Sequence, residues 1–112
     1  MPTGDEPHYL LITHSLVYDH DINLANNYQN KDWKIFYKEK SLEPHNFDKT
    51  PYSVHNFGLP LILTVPYAMG GYPAVLVFIS LVMLSSLILC WRTAGMLAGT
   101  NMTNIFPLWA IG

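Results

Sequence analysis

Charge is what this sequence has least of, and the shortage is lopsided. Only 12% of its 112 residues are Asp, Glu, Lys or Arg, about half the share of an ordinary soluble protein. All eight acids and all five lysines lie at or before Lys49, and beyond it the one charged side chain is Arg92. A formal net charge of −2 gives no electrostatic footing for nucleic acid. Cysteine is nearly absent as well. Cys90 stands alone, which excludes a disulfide framework or a zinc knuckle within one chain. No internal repeat or low-complexity tract occurs, and no HExxH spacing, so the metal-dependent hydrolase class lacks its motif.

The charge-free half explains the imbalance. Ala74 to Trp91, AVLVFISLVMLSSLILCW, is interrupted only by Ser and Cys. At about 1.5 Å per residue it measures roughly 27 Å as a helix, close to the hydrocarbon thickness of a bilayer. Tyr72 and Trp91 flank it where interfacial aromatics lie, with Arg92 in reach of headgroups. A chain this short has too little mass to wrap such a helix on all sides as a soluble core. Its late position excludes a signal peptide. The sequence therefore reads as mainly α and integral to a membrane, with residues 72–92 as the transmembrane helix. Residues 59–71, from LPLILTVPYAM to a glycine pair, are too few to span. With Pro66 inside them, they read as a short interfacial helix, the alternative being fusion with the following segment as one long broken helix. Residues 93–112 read as a connection and the start of a further apolar segment.

Residues 1–58 read as an elaborated loop. Nine aromatics, from Tyr9 to Phe57, are too many for a disordered tail. Thr3 or Asp5 can cap a helix with Pro7 in its first turn, and Tyr9, Leu10, Ile12, Leu16 and Val17 give it a broad apolar stripe to about Tyr18. LANNYQNKDW is turn-rich, and DWKIFYKE is ambiguous between helix and strand. The adjacent Asp5 and Glu6 have two readings. As first-turn acids they would stabilise the helix dipole by about 0.3–1 kcal/mol. Alternatively, Asp5, His8, Tyr9 and Ile12 share a helical face, and the carboxylates there can deprotonate a hydroxyl or hold a divalent cation, with Asp5, Glu6 and His8 as its ligands. His14, His20 and His45 read as structural or solvated, and the lysines of KDWKIFYKEK as a solvated face.

Two stretches carry a resemblance. GDEPHYLLITHSLVYDHDINLANNY, then YSVHNFGLPLILTVPYAMGG, resemble the first extracytoplasmic loop of GT-C-type integral-membrane glycosyltransferases, and in pattern glycosyltransferase family 39. That group includes protein O-mannosyltransferases and lipid A aminoarabinose transferases. Asp5-Glu6 with Tyr9 match the family's acidic element. His55, Gly58, Leu59, Pro60 and Leu61 match the segment leading into the next helix, and Tyr67 with Gly70-Gly71 match the part that follows. The match covers most of residues 3–92.

The resemblance implies transfer of a sugar from a polyprenyl-phosphate-linked donor, itself held by membrane lipid, to an extracytoplasmic acceptor. Asp5 would be the catalytic base and Glu6 its assistant; His8, Tyr9 and His55 would contact substrate. A divalent cation is a conceivable cofactor. It also implies a fragment of a multi-span fold, inactive without the remainder of its own polypeptide. The family places residues 1–58 outside the cell, most simply at a bacterial inner membrane. The five lysines before the span argue the other way by the positive-inside rule, but most of them lie far from it. A different class stays open: a small non-enzymatic membrane protein or subunit whose aromatic loop docks a partner.

Overall fold

The computed structural model describes residues 2–45 and 50–97. Among them every regular element is helical: α1 (Glu6–Tyr18), α2 (Ala25–Asn30), a 3₁₀ turn (Asp32–Ile35) and α3 (Gly58–Leu97). The chain divides into two compact units, Met1–Leu76 and Val77–Gly112.

α1 is the centre of the first unit. Pro7 occupies its first turn, where a missing N–H costs nothing because that donor has no intrahelical partner. Pro7, His8 and every residue from Leu10 to Ser15 are buried, so the helix is enclosed on all sides along its middle. The expected stripe is corrected accordingly. Tyr9, Leu16 and Val17 are only half-buried, whereas Leu11, Thr13, His14 and Ser15 are buried. The loop wraps α1 instead of leaving one face to solvent, and its buried polar groups find partners across the fold. Thr13 Oγ1 donates to the Tyr9 carbonyl at 2.9 Å and lies 3.5 Å from the Pro60 carbonyl. His14 Nδ1 lies 3.1 Å from the Tyr67 hydroxyl. Ser15 Oγ is 3.0 Å from both the Asp21 carbonyl and its carboxylate.

Beyond α1 the chain reverses through His20, whose φ is 61°. The turn-rich stretch condenses into α2, and the ambiguous one into the 3₁₀ turn. Lys31, at φ 62° and ψ 39°, is the left-handed corner between them. Asn27 Nδ2 joins the pieces by donating to Asp19 at 2.8 Å and Asp32 at 3.0 Å. The Leu24 N–H donates to the Pro51 carbonyl at 2.8 Å, tying α2 to the later loop. Leu24, Trp33 and Phe36 complete the core with Leu10, Leu11 and Ile12, and with Leu63, Tyr67 and Val75 from α3.

α3 is 40 residues long and departs from helical dihedrals only at Gly70 and Gly71. The expected interfacial and transmembrane segments are therefore two helical stretches meeting at the glycine pair. Pro66 sits inside the first without breaking it, and Pro73 falls in the first turn of the second, where proline fits. Gly71, at φ 62° and ψ −151°, is in a region that is essentially glycine's alone. The helix also continues past Arg92 to Leu97, because nothing in TAGML stops it; Thr93 Oγ1 donates to the Leu89 carbonyl at 2.9 Å. The remainder of the expected connection, residues 98–112, lies outside the described residues. α3 is long and apolar enough to cross a membrane, and only 6% of its most apolar window is buried.

Candidate functional site: a histidine cluster beside an acid pair

The start of α1 sets the site. Asp5 occupies the N-cap position but makes no side-chain capping bond, so its carboxylate is not used by the helix. It is 62% exposed and lies 3.8 Å from His45 Nδ1. Glu6 points elsewhere. The Thr3 N–H donates to its Oε2 at 3.3 Å, and the Tyr72 hydroxyl donates to its Oε1 at 3.3 Å. The two neighbouring acids thus have different surroundings. One is an open carboxylate beside histidine, and the other is fastened to the residue that follows the Gly70-Gly71 break.

Below Asp5 three imidazoles converge. The His8 ring centroid is 4.0 Å from that of His45 and 5.2 Å from that of His55; His45 and His55 are 5.6 Å apart. One ring nitrogen from each lies within 4.8 Å of the others. His8 is buried at 2% exposure, and its Nδ1 lies 3.1 Å from the Tyr28 hydroxyl. Burial, reinforced by the two neighbouring imidazoles and only partly opposed by Asp5, lowers its pKa to about 4. It is therefore neutral at physiological pH, with a lone pair to offer. Burial likewise pushes the Tyr28 phenol up to about 12, so that partner stays protonated. His55 is held by a turn in which its N–H donates to Ser53 Oγ at 3.2 Å. Its Nε2 is buried and has no hydrogen-bond partner among the described residues. The Tyr9 ring stands 5.0 Å from His55.

A separate cavity of about 610 Å³ opens near the glycine break, lined by Ile35, Phe36, Lys38, Gly70, Gly71, Tyr72 and Pro73. Its walls are apolar apart from Lys38, and Tyr72 links it to Glu6.

The structure thus gathers Asp5, His8, Tyr9 and His55 in one place and sets Glu6 on the Tyr72 side. A cation shared by Asp5, Glu6 and His8 is not the grouping that forms. The ligand-type side chains that cluster among the described residues are His8, His45 and His55. His45, expected to be structural or solvated, is half-exposed, and its tilted ring also lies 4.0 Å from that of His8. No spacing links positions 8, 45 and 55, and the one available signal was the concentration of all five histidines in the first 55 residues. His14 is a buried structural histidine against Tyr67, and His20 is exposed. In comparisons with protein-family models, with curated proteins and with solved structures, nothing matches this chain.

Proposed function

We propose that the chain is part of a membrane-bound sugar transferase, acting on a polyprenyl-phosphate-linked donor, with residues 1–58 on the extracytoplasmic side of a bacterial inner membrane. α3 holds the site at the bilayer surface. Asp5 accepts the proton of an acceptor hydroxyl as the hydroxyl oxygen attacks the sugar's anomeric carbon. The bond from that carbon to the phosphate oxygen breaks, and lipid phosphate leaves with the electron pair. An open carboxylate at a helix start, unused in capping, has the access that a general base requires.

One observation carries the reading. Tyr72, at the foot of the apolar stretch, both lines the cavity near the glycine break and donates to Glu6, the neighbour of Asp5. A lipid-linked donor needs an apolar groove ending in a cation, close to a base. The cavity supplies apolar walls with Lys38 on its lining, and Tyr72 joins it to the acid pair. Glu6 is then a positioning residue that fixes α1 against this wall.

The test is transfer of labelled sugar from a polyprenyl-phosphate donor in membranes of cells that carry the gene at its own locus, as wild type or Asp5→Asn. Loss of the base is expected to lower turnover by about 10²–10⁴-fold at unchanged protein level. Equal turnover would remove Asp5 from the chemistry.

A further inference from the structure

We infer that His8, His45 and His55 form a binding site for a divalent transition-metal ion of the zinc class, with a fourth coordination position open beside Asp5. The inference does not depend on the sugar-transfer reading, since it concerns what the three imidazoles bind with no donor present.

Three features of the cluster point to a metal. First, three imidazoles lie in mutual contact, and one nitrogen from each falls within 4.8 Å of the other two. Tetrahedral coordination with metal–nitrogen bonds of 2.0–2.1 Å sets neighbouring nitrogens about 3.3 Å apart. Closure onto an ion therefore asks each ring to move by about 1 Å. His45, half-exposed on its loop, is the ring best placed to make most of that motion. Second, the buried His55 Nε2 lacks a hydrogen-bond partner among the described residues. A buried imidazole nitrogen without one is costly, and a metal ion answers the lone pair directly. Third, the outer partners are of the kind that orient ligating histidines. The Tyr28 hydroxyl lies 3.1 Å from His8 Nδ1, and in the tautomer where it accepts from Nδ1–H, Nε2 is left as the metal donor. Asp5 stands beside His45.

The donor set also discriminates among ions. Imidazole nitrogen suits zinc, copper, nickel and iron, whereas magnesium and calcium select oxygen. Three protein ligands with a vacant fourth position are the arrangement of sites that bind water or substrate, not of closed structural ones. That position is open to a water or to the Asp5 carboxylate.

The experiment uses the whole chain without a polyhistidine tag, in lipid nanodiscs and stripped with chelator. Zn²⁺ is titrated by calorimetry and Co²⁺ by visible absorption. One ion per chain is expected, with the intensified Co²⁺ bands of four- or five-coordination and no competition from excess Mg²⁺. His45→Ala, at a half-exposed position, leaves the helical circular dichroism unchanged and weakens Zn²⁺ more than about 100-fold, beyond the effect of an outer-shell change. His55→Ala does the same, and His20→Ala, outside the cluster, has no effect. Absence of stoichiometric Zn²⁺, or equal affinity in the wild type and His45→Ala, overturns the inference. Binding with these dependences, beside equal turnover of the wild type and Asp5→Asn in the cellular transfer assay, would remove Asp5 from the chemistry and leave the metal site standing.

Discussion

α1 and the far stretch of α3 are both rich in leucine, isoleucine and valine, and they handle polar groups in opposite ways. In α1 three polar side chains reach outward for partners, His8 to Tyr28, His14 to Tyr67 and Ser15 to Asp21, while Thr13 bonds both ways, to the Tyr9 carbonyl of its own helix and toward that of Pro60. In α3 beyond residue 76, Ser85, Ser86 and Thr93 fold back on their own helix. Ser85 Oγ donates to the Leu81 carbonyl and Ser86 Oγ to that of Val82, both at 2.8 Å, as Thr93 does to Leu89. Such bonds to the carbonyl four residues back need no neighbour. A helix surrounded by lipid requires this, because no water is present to take up an unmet hydroxyl. Apolar content alone would have made the two helices look alike. Where their polar groups are satisfied tells them apart.

The sharpest way to break that comparison is to make one change in both places. Leu11, fully buried in α1, is expected to cost about 2–5 kcal/mol as Leu11→Ala, read as a lowered denaturation midpoint of the first unit. Leu84, exposed on α3, is expected to change that midpoint by less than about 0.5 kcal/mol as Leu84→Ala. Equal losses would mean that the far stretch of α3 is a packed core helix after all.

A smaller effect is expected at the glycine break. Gly71→Ala places a side chain on a backbone that L-residues rarely adopt and is expected to cost about 1–3 kcal/mol. A straightened α3 would also pull Tyr72 from Glu6, visible as lost protection of the Tyr72 hydroxyl from solvent exchange.

The smallest expected effect is a pH dependence in the first unit. His14 is packed against Tyr18 on its own helix and Tyr67 from α3, with the charges of Asp32 and Asp19 acting on it. Burial lowers its pKa below 6.5 despite the favourable pull of these two carboxylates. The folded form holds His14 neutral, while the unfolded chain takes up a proton below about pH 6.5. Its contribution to stability is therefore complete above that pH and is lost as the pH falls below it toward the folded value. In metal-free protein, melting temperature should drop across this window, and His14→Gln should drop less. An identical slope in the two would assign the dependence to other groups.

Much of the fold was legible because two signals are strong over long windows. A proline-led apolar stretch marks α1, although its burial on every side was not legible, and a charge-free run marks α3. The breaks were legible only in part. The glycine pair was legible as the end of the shorter segment, and the helical dihedrals do break at Gly70-Gly71, whereas Pro66, which could have kinked or ended a helix, is absorbed. The stop expected at Arg92 failed because one charge at a helix end neither removes a donor nor blocks a carbonyl. Asp5 could be singled out locally, as an acid at a helix start. The histidine cluster could not, since His45 reaches His8 only through a loop closure of 37 positions that no periodicity encodes.

Gly71 has one more consequence, a matter of handedness. A β-carbon of ordinary chirality there would meet nothing nearer than Pro73 Cδ at 4.0 Å, so the position has room for a side chain. What forbids one is the sign of the torsions. Inverted, φ 62° and ψ −151° become values inside the polyproline II basin, comfortable for any residue. The backbone at this break is thus a mirror image of a common conformation. A D-alanine introduced by chemical synthesis should sit there without torsional strain, where L-alanine does not.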